Sequence, residues 1–224
     1  MSEIINNLDW SVITDVFLSV IPALICITLH ELSHGFVAYK LGDNTAKRMG
    51  RLTLNPIKHI DPMGLFMMVI FKFGWAKPVP IDMRRFKNPK RGMAITALAG
   101  PVSNLLIAVV ALALYGVLYP FLNGGAIGGY VLQMVYLTAY ISIAFAVFNI
   151  IPIPPLDGSK VLFSFLSDEN YLKLMRYERY GMLILILLIA TNTLSSTLGA
   201  AVSFVWDKLF YISQFAFDTV SKFM

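Results

Sequence analysis

The sequence predicts an all-α polytopic membrane protein: about four to five transmembrane helices, with a short re-entrant or β-like segment between the first two. Three observations carry that prediction. Of 224 residues, 57% are hydrophobic and 14% charged, against roughly 45–50% and about 25% in soluble chains. Mean hydropathy is +0.70. Sixteen of the 18 Lys and Arg lie between Lys40 and Arg179, and none precedes Lys40, which is the bias of loops that obey the positive-inside rule. That clustering reads the formal charge of +5 as a topology signal, so the expected partner is the lipid bilayer and not nucleic acid. A single cysteine, Cys26, excludes an intramolecular disulfide and any Cys-rich zinc module.

One membrane-embedded unit, residues 1–224, accounts for the chain. The N-terminus carries Glu3 and Asp9 with no basic residue, unlike a secretory signal peptide, so the first apolar stretch, about 12–41, reads as a retained span. It exceeds the roughly 20 residues a crossing needs, and Gly42 suits its C-cap. Residues 43–92 form the polar segment, with 11 Lys/Arg against Asp43, Asp61 and Asp82. The run Met63–Phe71 interrupts it, too short to span and so expected as a re-entrant or strand-like insertion shielded by protein.

Further spans are expected at about 93–122 and 130–151, joined by the uncharged turn 123–129. Pro152, Pro154 and Pro155 end the third, because proline removes a backbone donor and obstructs the preceding turn. Residues 167–179 read as a polar loop and 180–199 as a fourth span. The stretch 200–224 reads as an amphipathic interfacial helix, with a fifth span as the alternative. The 42–92 and 156–179 loops are separated by two spans, and both are basic. That places them in the cytoplasm, with the N-terminus and the 123–129 turn outside.

The chemistry concentrates in Thr28-Leu-His30-Glu31-Leu-Ser-His34, inside the first span. His30 and His34 sit one turn apart on one helix face, where their imidazoles can converge on one zinc ion. Glu31 is adjacent and can act as general base toward water. On a soluble helix such a triplet can simply be solvated, but within an apolar span each ionisable residue costs several kcal/mol. Metal binding is therefore the stronger reading. A catalytic zinc takes three protein ligands, and the sequence offers His59, Asp157, Glu169 and Glu178 for the third. Asp157 follows a span and a Pro-rich bend that can return it to membrane depth. Glu169 and Glu178 lie among Lys and Arg and read as solvated.

These residues, taken with others in order, resemble the site-2 protease family of intramembrane zinc metalloproteases. The resemblance rests on HELSH in the first span, Gly50-Arg-Leu-Thr-Leu-Asn-Pro56 leading to His59-Ile-Asp-Pro62, Gly74-Trp-Ala-Lys-Pro-Val-Pro80, Gly100-Pro-Val-Ser-Asn104, and Asn149-Ile-Ile-Pro-Ile-Pro-Pro-Leu-Asp157-Gly158. It covers about residues 20–165 and looks closest to the compact bacterial and archaeal branch without an appended PDZ or CBS domain. It implies one Zn2+ per chain held by His30, His34 and Asp157, with Glu31 activating water. It also implies that Asn149 binds substrate or the oxyanion, and offers Asn104 for the same role. An amide can donate to a developing negative charge without adding charge of its own; interhelical hydrogen bonding is the competing role for both.

His59 is then expected in a structural or supporting role around the metal site, and Cys26 as a small buried hydrophobe. Trp10, Trp75 and Trp206 are expected as interface anchors. Residues 71–81, broken by Gly74, Pro78 and Pro80, read either as an edge strand for an unwound substrate or as a plain surface hairpin.

The function expected from this resemblance is hydrolysis of a peptide bond in or near the transmembrane segment of a membrane protein, as in regulated intramembrane proteolysis, in a bacterial or archaeal cell membrane. Oligomeric state, including a homo-oligomer, stays open. A metal-ion transporter is the rival reading, but it requires ligands spread across facing spans, and this chain has one clustered site and only Asp15 besides, near the outer end of the first span. A catalytically dead scaffold would lack a ligand or the base, and a surface-tethered protease would need polar sequence where Phe17–Leu29 is apolar.

Overall fold

The computed structural model describes residues 10–64, 66 and 75–224. Seven α-helices lie among them: α1 Trp10–Lys40, α2 Thr45–Arg48, α3 Pro89–Leu122, α4 Ala126–Asn149, α5 Asp157–Phe163, α6 Asp168–Ala190 and α7 Ser195–Ser221. Single 3-10 turns occupy Pro56–His59 and Met83–Arg85. The all-α expectation holds. The apolar run Met63–Phe71 lies largely outside the described residues. The only β pairing among the described residues is an isolated antiparallel bridge between Ile60 and Ala76.

Among the described residues, three stretches are long and apolar enough to cross a membrane: Val16–Lys40, Pro89–Leu122 and Ala126–Asn149. Many of their large apolar side chains point outward, among them Phe36, Leu106 and Val110, as helices facing lipid require. A fourth crossing arises if Tyr180–Ala190 and Ser195–Ser221 form one broken span, bent by 88°.

Local chemistry sets the boundaries. α1 stops at Gly42, whose φ of +108° suits a residue without Cβ. α3 opens on Asn88, whose side chain accepts from Arg91 N at 3.2 Å, followed by Pro89 at the position proline tolerates best. The polar stretch 167–179, expected as a loop, is instead the first half of α6. Ser167 caps it, and Glu169 pairs with Lys173 one turn on at 2.7 Å.

The expected fourth span at 180–199 does not run straight. Tyr180–Ala190 is only about 16 Å long at 1.5 Å per residue. Beyond it Thr191 Oγ1 donates back to the Leu187 carbonyl at 2.8 Å, and Asn192 takes a left-handed φ of 58°. The tail then forms α7, which runs beside α3 and α4 instead of lying across the bundle end. Val202 packs on Ala108 and Ile143. A Cβ on Gly116 would lie 2.2 Å from the Ser213 carbonyl oxygen, a close approach that small residues permit.

α3 is the central helix, in contact with α1, α4, α5 and α7. Its small residues Ala97, Gly100, Ala108, Ala111 and Gly116 are all buried. They let the neighbours approach closely enough to bring α1 and α5 together at one level.

Candidate metal centre

α1 presents His30 and His34 toward α3, and both are buried. Their rings meet edge to face with centroids 4.6 Å apart. His34 Nδ1 lies 2.7 Å from the Thr96 carbonyl oxygen. A carbonyl only accepts, so Nδ1 carries the proton and Nε2 of the neutral ring keeps its lone pair. A Cβ on Gly100, one turn further along α3, would fall 2.4 Å from His34 Nε2 and 2.5 Å from His30 Cε1. Glycine there lets the imidazoles lie against the helix.

The third group arrives from the far side of a tight return. After α4 the chain reverses through Ile150–Leu156, and α5 starts at Asp157. Gly158 makes the reversal possible, since a Cβ would lie 2.0 Å from the Ile150 carbonyl oxygen. Gly181 of α6 backs the turn, with Pro154 atoms 2.5 Å from its would-be Cβ.

The result is a triangle of ligand atoms. Asp157 Oδ2 lies 3.2 Å from His30 Nε2 and 3.1 Å from His34 Nε2, and the two Nε2 atoms are 3.0 Å apart. Among the described His, Cys, Asp and Glu residues, this is the one group that could hold a metal. A tetrahedral site with bonds of about 2.0–2.2 Å sets its ligand atoms about 3.3–3.5 Å apart, close to what is seen. Asp157 Oδ2 is buried without a hydrogen-bond partner. Buried polar groups are ordinarily satisfied, so two imidazoles and an orphaned carboxylate oxygen converging on one point suit a cation. The other carboxylate oxygen, Oδ1, faces Lys160 Nζ at 3.8 Å.

Glu31 sits on the flank of α1. Its Oε2 accepts from the backbone N–H of Val79 at 2.8 Å. The strip that brings Val79 there is anchored in three places. Lys77 N donates to the His59 carbonyl at 2.9 Å, Arg51 Nη2 donates to the Lys77 carbonyl at 2.8 Å, and Asp82 N donates to Asp43 Oδ2 at 2.7 Å. Asp43 is fully buried and also accepts from Thr45 N at 2.9 Å. At the end of the strip the Arg84 guanidinium donates to Asp82 at 2.8 Å and holds that carboxyl below its ordinary range.

His59 is buried away from the metal group. Its Nε2 lies 2.9 Å from the Thr53 carbonyl oxygen, so it braces the 53–60 loop. Cys26 packs toward α4, 2.9 Å from Ser142 Oγ. Asn149 donates its amide to Phe145 O of its own helix at 3.0 Å. Asn104, one turn beyond Gly100, is fully buried with both amide atoms unpartnered. Glu169 pairs with Lys173 on α6. Trp206, expected at an interface, packs in the seam of α4 and α7 against Tyr136 and Phe210, with ring centroids 4.9 and 5.6 Å away.

Sequence reasoning did not anticipate four partners: the Thr96 carbonyl, the Gly100 notch, the Val79 amide and Lys160. Only two left a signal. Gly100 stands inside a quoted motif, and Lys160 is three residues after Asp157 on the same helix face.

Residues 122–191 match the family described as peptidase family M50. YwhC of Bacillus subtilis, which carries a zinc-metalloprotease name, is 37% identical over 176 residues, covering 77% of this chain and 80% of that protein. Rip2 of Mycolicibacterium smegmatis, similarly named, is 32% identical over 190 residues, covering 80% and 70%. Zinc metalloprotease MJ0392 of Methanocaldococcus jannaschii is 27% identical over 169 residues, 75% of this chain and 38% of that protein. No solved structure matches. Sequence likeness over most of its length thus joins the buried histidine pair in assigning this chain: it belongs to peptidase family M50, the site-2 protease family of zinc metalloproteases.

Proposed function

We propose that this metalloprotease cuts a peptide bond in or near the transmembrane segment of a membrane protein, with His30, His34 and Asp157 as zinc ligands and Glu31 as general base. The observation that carries the reading is the convergence of His30, His34 and Asp157 within 4.8 Å of one another, with both histidines on a helix otherwise apolar enough to cross the bilayer. Zinc held there supplies a Lewis acid that polarises the scissile carbonyl and acidifies water. Glu31 accepts the proton of the attacking water and passes it to the leaving amine nitrogen, so that amide and water become acid and amine. The Thr96 carbonyl fixes the tautomer and orientation of His34, the usual office of a group just behind a ligand. Asn149, partly exposed at the end of α4, is the better placed asparagine for contact with substrate. Asn104, sealed inside the bundle, instead supports the packing of α3.

Depth supports the choice of substrate. His30 precedes Lys40 by ten residues, about 15 Å along a helix. With the basic loops in the cytoplasm, the site opens to that side and the Asn123–Gly125 turn faces out. A transporter would carry further ligands along a path, and none joins this group among the described residues.

The test combines cleavage with topology. Purified protein should cut a quenched fluorogenic peptide built on about 20 leucines and alanines with a central helix break, and a zinc chelator should stop it. In a Cys26→Ser background, cysteine at Lys58 should react with an impermeant thiol reagent only in inside-out vesicles. Cysteine at Gly124, where a Cβ meets nothing within 4 Å, should react only in intact cells. Cleavage confined to soluble peptides, or the reverse labelling, overturns the proposal.

A further inference from the structure

We infer that the backbone N–H of Val79 is a positioning group for Glu31; this rests on Glu31 being the general base and names a residue that sets its geometry. The N–H donates to Oε2 at 2.8 Å. Val79 stands between Pro78 and Pro80, which have no N–H to give. Its amide is therefore the single donor of that tripeptide, and it is directed at the carboxylate.

The strip around it is fixed. Lys77 is held on both sides, by the His59 carbonyl and by Arg51, and Asp82 is tied to the fully buried Asp43. Val79 itself is 6% exposed, and its Cγ1 would lie 3.0 Å from a Cβ on Gly35, one turn beyond Glu31. Glycine at position 35 thus admits the strip to the flank of α1. A strip anchored so closely is a support and not a lid. It holds one carboxylate oxygen of Glu31, Oε2, by a backbone donor that cannot turn away. A base must be held within hydrogen-bond reach of the proton it takes, and a flexible glutamate does not hold itself.

Two variants remove this N–H. One is Val79→Pro; the other replaces the 78–79 amide by an ester, through incorporation of α-hydroxyisovalerate at position 79. Val79→Ala keeps the N–H and trims the side chain. On the quenched leucine–alanine peptide, the ester and proline variants should lose about 10- to 100-fold in kcat, the usual range for removing a supporting partner. KM and zinc per chain should stay at wild-type values, and Val79→Ala should keep most of the wild-type kcat. Wild-type or faster turnover by the ester variant overturns the inference, the faster case marking the contact as inhibitory. Should Val79→Pro fail to fold, the ester variant decides. Glu31→Gln, run alongside, separates the two levels. Turnover by Glu31→Gln defeats the base assignment itself, whereas an inactive Glu31→Gln with a fully active ester variant defeats only the role of Val79.

Discussion

The Cα of Gly100 faces the imidazoles so closely that a Cβ there would lie 2.4 Å from His34 Nε2. Nor can the ring of His34 swing away freely, because its Nδ1 is gripped 2.7 Å away by the Thr96 carbonyl of the same helix. Gly100→Ala is therefore expected to damage the metal centre and not the fold. Alanine is the better helix former by about 0.8–1.0 kcal/mol, so helix content should hold. Zinc affinity should fall about 10- to 100-fold. Metal competition with a chromophoric chelator, together with far-ultraviolet circular dichroism, checks both halves.

Asp43→Ala addresses the anchored strip. The wild-type carboxylate is fully buried and accepts from Thr45 N and Asp82 N. Its loss leaves those donors unpaired, at about 1–3 kcal/mol for each buried group. The variant should melt at lower temperature and cleave more slowly, since the strip carrying Val79 is loosened, while zinc content stays near one per chain. Loss of zinc in this variant would contradict the separation of strip and metal centre.

The helical architecture and the His30–Glu31–His34 triplet were readable from hydropathy and spacing alone. The third residue of the proposed zinc site was not. Asp157 lies more than a hundred residues from His34, and the bend at Pro152–Pro155 shows only that the chain turns, not where it lands; the resemblance supplied that choice. Polarity misled at 167–179, where Ser167 and the Glu169–Lys173 pair sustain a helix that hydropathy ends. The break at Asn192 was invisible because 180–199 is apolar on average. Backbone partners such as Thr96 O and Val79 N have no side-chain signature, so no residue pattern announces them.

His59→Ala separates the candidate third ligands. His59 is 1% exposed and engages the Thr53 carbonyl through Nε2, outside the metal group. Its truncation should lower stability by about 1–3 kcal/mol, as a buried side chain is removed and the Thr53 carbonyl loses its partner. Zinc stoichiometry should be unchanged, as read by elemental analysis of the purified variant.

The most direct measurement pairs zinc stoichiometry with hydrolysis of the leucine–alanine peptide in Glu31→Gln and Asp157→Ala. A base that is not a ligand leaves metal in place when neutralised, and a ligand does not. Glu31→Gln should therefore hold one zinc per chain with no turnover, and Asp157→Ala should lose both. Full zinc occupancy in Asp157→Ala, or turnover by Glu31→Gln, would contradict the account.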